Sequence, residues 1–330
     1  MKGVMDRRWN SERFIVFQMV ILQRACHVTA SHAIRRCTEK RLDAWGEGKH
    51  AMLVEDTLRS CKEYLTVARR EEMAEHRTQT YHILMLHGKL WTAVRWITER
   101  KTGGVLQQGD RCTKTRDRVM EVLRTKHPEA WTPTLASLDS YMGKPPELTP
   151  VDITEDTVTA VAGRLSGGAG PGGKDSVSLQ HWLLRFGAAS AELRLIVADF
   201  AEWLGNGRHP WDDYWALMSG RLIALDKQPG IRPVGVGETW RRMMAKCLLR
   251  VAGPEAKADC GTKQLAGGLE AGIEGAIHAM RVLWDEHKNE EDWGFLLINA
   301  RNTFNEENRT AMLRAVRNDW PSGAQFTFKC

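Results

Sequence analysis

No stretch of the 330-residue chain approaches the roughly 20 consecutive apolar residues that span a bilayer, which excludes a membrane helix. Cysteine contributes little. Cys26, Cys37, Cys61, Cys112, Cys247, Cys260 and Cys330 form no CxxC pair and no His cluster at zinc-finger spacing. Their odd number and wide spacing suit reduced thiols in an intracellular protein, nuclear or cytoplasmic, better than a disulfide framework. There is no internal repeat and no long low-complexity tract. What is present is a globular composition, 42% apolar and 27% charged with 13 Trp. The length suits two domains with a core that needs no disulfide or metal. Phe14 to Leu22 imitates a signal peptide, but Gln18 interrupts it and Arg24 follows, so it reads as a buried helix or strand.

The net charge is +6, and it is unevenly spread. Residues 1–150 carry 26 Lys+Arg against 18 Asp+Glu, whereas residues 151–330 carry 21 against 23. A basic first half points to a polyanion partner, with nucleic acid the foremost class, although ordinary solvated surfaces also carry such an excess.

The fold class read from the pattern is α+β, mainly helical in its first half. Val54, Leu58, Cys61, Leu65 and Ala68 stand at helical spacing over 50–70, and Ile83, Leu86, Leu90, Val94 and Ile97 repeat it over 82–98. Pro128, Pro133, Pro145, Pro146 and Pro150 stop helices, which divides the chain into a basic helical region (1–127), a Pro-rich linker (128–153) and a second domain (154–330). Thr154 can cap a helix whose first turn holds Glu155 and Asp156. Residues 221–236 read as a hairpin turning at Pro229-Gly230. A helix from Glu238 to Val251 follows, with Trp240, Met243, Met244, Cys247, Leu248 and Val251 on one face and Arg242, Lys246 and Arg250 on the other. Leu269 to Trp284 predicts another helix, Trp293 to Ile298 a strand, Asn305 the start of a last helix, and Gln325 to Lys329 the start of a further strand.

Gly168 to Lys174 matches GxxxxGK, the backbone cradle for phosphates, but the next residue is Asp175 where a P-loop needs Ser or Thr to hold magnesium. The preceding segment has helical periodicity, not the apolar run of a strand. A P-loop NTPase is therefore a minor alternative, and the residues alone read as a flexible loop between helices.

In order along the chain, GGAGPGG with Leu179, Trp182, Leu183, Leu184 and Phe186 comes first, then the hairpin ending in Arg232-Pro233-Val234-Gly235-Val236-Gly237. Glu238, Arg241, Arg242 and Lys246 follow in a GExxRRxxxK pattern. Next come Gln264, Gly268, Gly272, Glu274, His278 and Arg281, and last FLLINARNTFNEENR from Phe295 to Arg309. Taken in this order, Leu165 to Cys330 resembles the reverse transcriptase domain of non-LTR retroelements. The resemblance implies the fingers and an incomplete palm of a right-hand polymerase, an RNA template, a DNA primer and deoxynucleotides as partners, and two magnesium ions as cofactor. Two such ions activate the primer hydroxyl and neutralise the leaving pyrophosphate.

By the same resemblance, Lys227 and Arg232 match positions that hold the incoming triphosphate. Arg241, Arg242, Lys246 and Arg250 become candidates for nucleic-acid contact, and Phe304, five residues after Asn299, matches the aromatic gate that selects deoxyribose. Asn299 itself stands at the family's first metal-binding aspartate, where a neutral amide lacks the charge that magnesium favours. No YxDD motif occurs in the sequence. The expectation is a truncated reverse transcriptase-like chain without polymerase activity, with an unpaired palm strand at its edge. The alternative is a module that binds nucleic acid without chemistry.

Overall fold

The computed structural model describes the chain except for residues 24–29, 72–73, 91–92, 95–104, 107–108, 113–114, 130, 135, 137, 139–142, 227–229, 262–263 and 299–301. The side chains of 62–71, 74–77, 80, 105, 268, 303 and 304 also lie outside the description. The protein is mostly helical with one small antiparallel sheet, so the α+β class holds.

The first helices are α1 (Lys2–Met5) and α2 (Ser11–Ile21). Asn10 caps α2 by accepting a hydrogen bond from the Arg13 N–H at 2.8 Å. The signal-like stretch is thus a helix, and it buries Phe14 and Ile15. Helices α3 (Ser31–Gly46), α4 (His50–Glu71) and α5 (Ala74–Leu86) follow. The helix expected over 82–98 is interrupted. Gly88 takes a left-handed φ of 68°, Lys89 N–H donates to Leu84 O at 2.9 Å, and Gly88 N–H donates to Met85 O at 3.0 Å. This pair of bonds is a Schellman stop, and glycine alone takes its left-handed residue without strain.

The sheet comprises β1 (Val105–Leu106), β2 (Gly220–Asp226) and β3 (Ile231–Gly237) in the order β1-β2-β3, all antiparallel. Between β1 and β2 in sequence come α6 (Val119–Thr125), α7 (Glu155–Gly163), α8 (Ser176–Leu184), α9 (Gly187–Asn206) and α10 (Trp215–Met218). The long helix α11 (Thr239–Cys260) follows β3, and α12 (Leu265–Gly268), α13 (Gly272–His287), α14 (Thr303–Glu306), α15 (Arg309–Asp319) and α16 (Pro321–Lys329) complete the order.

The main core lies where α7, α8, α9 and α11 meet, around Val158, Leu179, Leu183, Phe200, Leu204, Met243 and Met244. Each such aliphatic or aromatic side chain contributes about 1.5–3 kcal/mol by leaving water. The N-terminal helices join the same core: Val4 and Phe14 belong to it, and Trp240 Nε1 donates to Gln18 Oε1 at 2.6 Å. The end of the Pro-rich segment is also fastened to it. Val151 N–H donates to Asn206 Oδ1, and Asn206 Nδ2 donates back to Val151 O, both at 2.8 Å. A second, smaller cluster of Cys112, Val119, Leu123, Ala224 and Ile231 closes one face of the sheet. Residues 1–127 distribute between these two cores and a third cluster of their own, Val20, Ile21, Trp45 and Leu53.

Two expected strands are absent. Trp293 to Ile298 is irregular, and its apolar side chains face solvent, with Leu296 at 85% and Ile298 at 83% exposure. A strand needs partners for its N–H and C=O groups, and among the described residues the only sheet is the one formed by β1, β2 and β3. Gln325 to Lys329 lies inside α16, which Pro321 opens at its first turn, where a fixed φ and a missing N–H cost nothing.

Candidate nucleic-acid interface

The hairpin forms as the Pro-Gly pattern predicts, with Gly220 opposite Gly237 and Asp226 opposite Ile231. Arg232 pairs in register with Leu225, and its side chain is exposed, without a hydrogen bond or ion pair among the described residues. Lys227, the other expected triphosphate ligand, lies outside the described residues, as does Asn299. Phe304 falls in α14, but its side chain is also outside the description, so the sugar gate has no geometry here.

Helix α11 divides its four candidate cations. Arg241 donates from Nη1 to Met218 O at 3.2 Å. Arg242 donates to Ser166 O at 3.2 Å, to Thr239 Oγ1 at 2.9 Å and to Gly168 O. These two guanidiniums brace loops, which a phosphate-binding role would have to disrupt. Lys246 and Arg250 are different. Both are exposed, neither has an ion pair among the described residues, and both line an open groove of about 610 Å³ between α7 and α11. The groove also takes Arg164 and Lys257, two cations that sequence reasoning missed, and no Asp or Glu lines it. Lys257 was legible in principle: it lies seven residues after Arg250, two helical turns along the same face. Arg164 had no such signal, because only the packing of α7 on α11 brings it there.

The chemistry of the groove is that of an anion track. Lys246 to Lys257 spans about 16 Å of helix at 1.5 Å per residue, long enough for successive phosphates. Flexible exposed cations without carboxylate partners are free to exchange counterions for phosphate.

The glycine loop has a definite structural job in place of the flexible-loop reading. Gly172 N–H donates to Glu238 Oε2 at 2.7 Å, and Thr239 Oγ1 donates to Lys174 O. A Cβ on Gly170 would stand 2.6 Å from both Glu238 Cα and Gly237 O, so the loop packs backbone to backbone against the start of α11. Asp175 caps α8 by accepting from Ser178 N–H at 2.8 Å, and this bond holds its carboxyl below the ordinary range. Lys174 donates to Leu22 O at 3.3 Å, and burial lowers its pKa. The element before the loop is helix α7, not a strand. The parts of a phosphate cradle are thus spent on capping and docking.

Asn302, Asn305 and Asn308 are also committed. Asn302 Nδ2 donates to Lys126 O at 3.0 Å, Asn305 Nδ2 to Asn302 Oδ1 at 2.8 Å, and Asn308 Nδ2 to Trp131 O at 2.5 Å. Asn308 also caps α15 through Ala311 N–H at 3.0 Å, three residues beyond the expected start at Asn305. Together these bonds fasten Asn302 to Lys126 and Asn308 to Trp131. Among the described residues no three His, Cys, Asp or Glu side chains gather as a metal site. Asn299 offers a neutral amide, which does not fit a magnesium site of the implied kind. No family model, curated protein or solved structure matches the chain.

Proposed function

We propose that the protein is a reverse transcriptase-like chain of the non-LTR retroelement kind that holds single-stranded nucleic acid, RNA in the first instance, in the groove between α7 and α11 without carrying out synthesis. The observation that carries the reading is a groove lined by Arg164, Lys246, Arg250 and Lys257 and by no carboxylate. The ordered motifs from Leu165 to Cys330 supply the kinship, with fingers ending at the 220–237 hairpin and a partial palm beyond α13. Asn299 in place of an aspartate supports the loss of polymerase activity, and no step is assigned through magnesium.

The test is fluorescence anisotropy of a labelled RNA oligonucleotide titrated at several salt concentrations. Each phosphate contact on a single strand contributes about 0.7 to the slope of log affinity against log salt. The Lys246→Ala/Arg250→Ala double variant is expected to flatten the slope by about 1.4 and to weaken all sequences alike. An unchanged slope would refute the groove. Primer extension on an RNA template with magnesium is expected to yield no product, and extension would overturn the inactive reading.

A further inference from the structure

A second cavity, about 560 Å³, opens between the α15–α16 pair and the turn that follows α9. Its volume lies within the roughly 300–1,000 Å³ of small-molecule sites. Arg208, Arg314, Arg317 and Lys329 line it, together with His209, and no Asp or Glu does. Lys329 is the buried cation among them, and a buried charge is costly unless an anion offsets it.

Two details sharpen the chemistry. The Nη1 of Arg317 is buried without a hydrogen-bond partner among the described residues. Lys329 is 2% exposed, donating to Leu204 O and Gly207 O, each at 2.5 Å, with no carboxylate in ion-pair contact among the described residues. Asp213, which acts electrostatically on His209, is itself engaged by Arg7 at 3.3 Å. Burial lowers the His209 pKa, so the ring adds no strong positive charge; it stacks on Trp203 at 3.6 Å between centroids.

Asn318, Gln325 and Tyr214 also line the cavity, and its apolar part includes the ring of Phe328, which is 69% exposed. Guanidiniums and an ammonium favour a phosphate over a singly charged carboxylate, while an open aromatic face favours a flat ring. We infer that this cavity binds a nucleoside 5′-phosphate, its phosphate toward Arg317 and Lys329 and its base against Phe328. The inference is independent of the α7–α11 groove.

Isothermal titration calorimetry with adenosine 5′-monophosphate, adenosine and inorganic phosphate tests it on the full chain. The nucleotide is expected to bind at least tenfold more tightly than either fragment. Arg317→Gln and Phe328→Ala are each expected to weaken nucleotide binding tenfold or more, whereas Lys246→Ala/Arg250→Ala leaves it unchanged. Because the Phe328 side chain is largely in solvent, that variant keeps the test open even if Arg317→Gln unfolds. A 5′-phosphorylated dinucleotide separates the two sources of this chemistry: tighter binding than the mononucleotide assigns the cavity to strand ends, and weaker binding assigns it to free nucleotides. No nucleotide binding at millimolar concentration, or equal binding by Phe328→Ala, would overturn the inference.

Discussion

Two amphipathic regions, similar as sequences, end in opposite environments. Helices α7, α8, α9 and α11 turn their apolar faces onto one another, and Phe200, Leu183, Leu204 and Met243 are wholly buried. Helix α13 has an equally regular apolar stripe but buries no residue, with Ile277 60% exposed, and the segment after it leaves Leu296 and Ile298 in solvent. The contrast teaches that periodicity states which face needs cover but not whether the cover is present. For α9 the partners lie on either side in sequence. Among the described residues, α13 has contact mainly with the short helix α12 and with Trp293 and Phe295.

The largest expected effect therefore lies in the first region. Phe200→Ala removes a side chain at the centre of the core, where it meets Phe14 at 6.5 Å and stacks on Trp203 at 5.3 Å between ring centroids. Urea denaturation should show a loss of about 3–5 kcal/mol. A loss below about 1 kcal/mol would mean that this core is loose and that the contrast is false.

Next comes the junction that holds the core to the glycine loop. Gly170→Ala puts a methyl against the Glu238 backbone, which cannot move without shifting the start of α11. The expected cost is about 1–3 kcal/mol, read in the same denaturation experiment. A neutral outcome would restore the picture of a flexible loop.

Much of the packed region was legible, because its signals are local. Thr154 accepts from Thr157 N–H at 3.3 Å as the capping residue, the strands on either side of the expected turn pair as a hairpin, and Trp240, Met243, Met244, Cys247 and Leu248 form the buried face of α11, although Val251 at its end is 37% exposed. The errors were of two kinds. At Gly88 and Pro321 a local stop or start signal was present and was outweighed by an apolar pattern running past it. At Trp293–Ile298 the local signal for a strand was sound, but pairing is a property of a neighbour and no residue within the segment can supply it. The functional surface divides likewise: the i, i+4, i+8 stripe of Arg242, Lys246 and Arg250 was visible, yet nothing local told that Arg242 folds back on Ser166 and Gly168 while Arg164 arrives from another helix.

The packed region should also carry a pH signature. Burial lowers the Lys329 pKa from 10.5 to about 8, so between these values the unfolded chain binds the proton that the folded one releases. Stability then rises with pH across this window. Cys247 acts in the opposite sense: burial raises its pKa from 9.0 to about 12, so the folded state keeps a proton that the unfolded thiolate has lost, and stability falls above pH 9. Between pH 8 and 9 the lysine dominates, and a gain of about 1 kcal/mol is expected. Lys329→Met should remove most of the rise between pH 8 and 9, measured by urea midpoints; the rise below pH 8 that remains belongs to the N-terminal ammonium, whose pKa burial lowers from 8.0 to about 6. Persistence of the rise between pH 8 and 9 in that variant would trace it to another group, with half-buried Lys174 the first to test, since its shift has the same sign.

The smallest expected effect is the sharpest test of the contrast. Replacing Leu296 and Ile298 with Lys changes two large apolar residues, a pair of substitutions that would be ruinous in a core because each would bury a charge. Here both side chains already sit in water, so nothing is desolvated on folding and nothing is lost. The double variant should keep its stability within about 0.5 kcal/mol of the parent and should remain soluble at higher concentration, because an exposed apolar run with free backbone groups invites pairing between chains. A loss of more than about 2 kcal/mol would show that Leu296 and Ile298 are buried in solution against a surface they do not touch here, either the open part of the α13 stripe or a second chain. Repeating the melt across a tenfold dilution series separates these two, since only the second makes the midpoint depend on concentration.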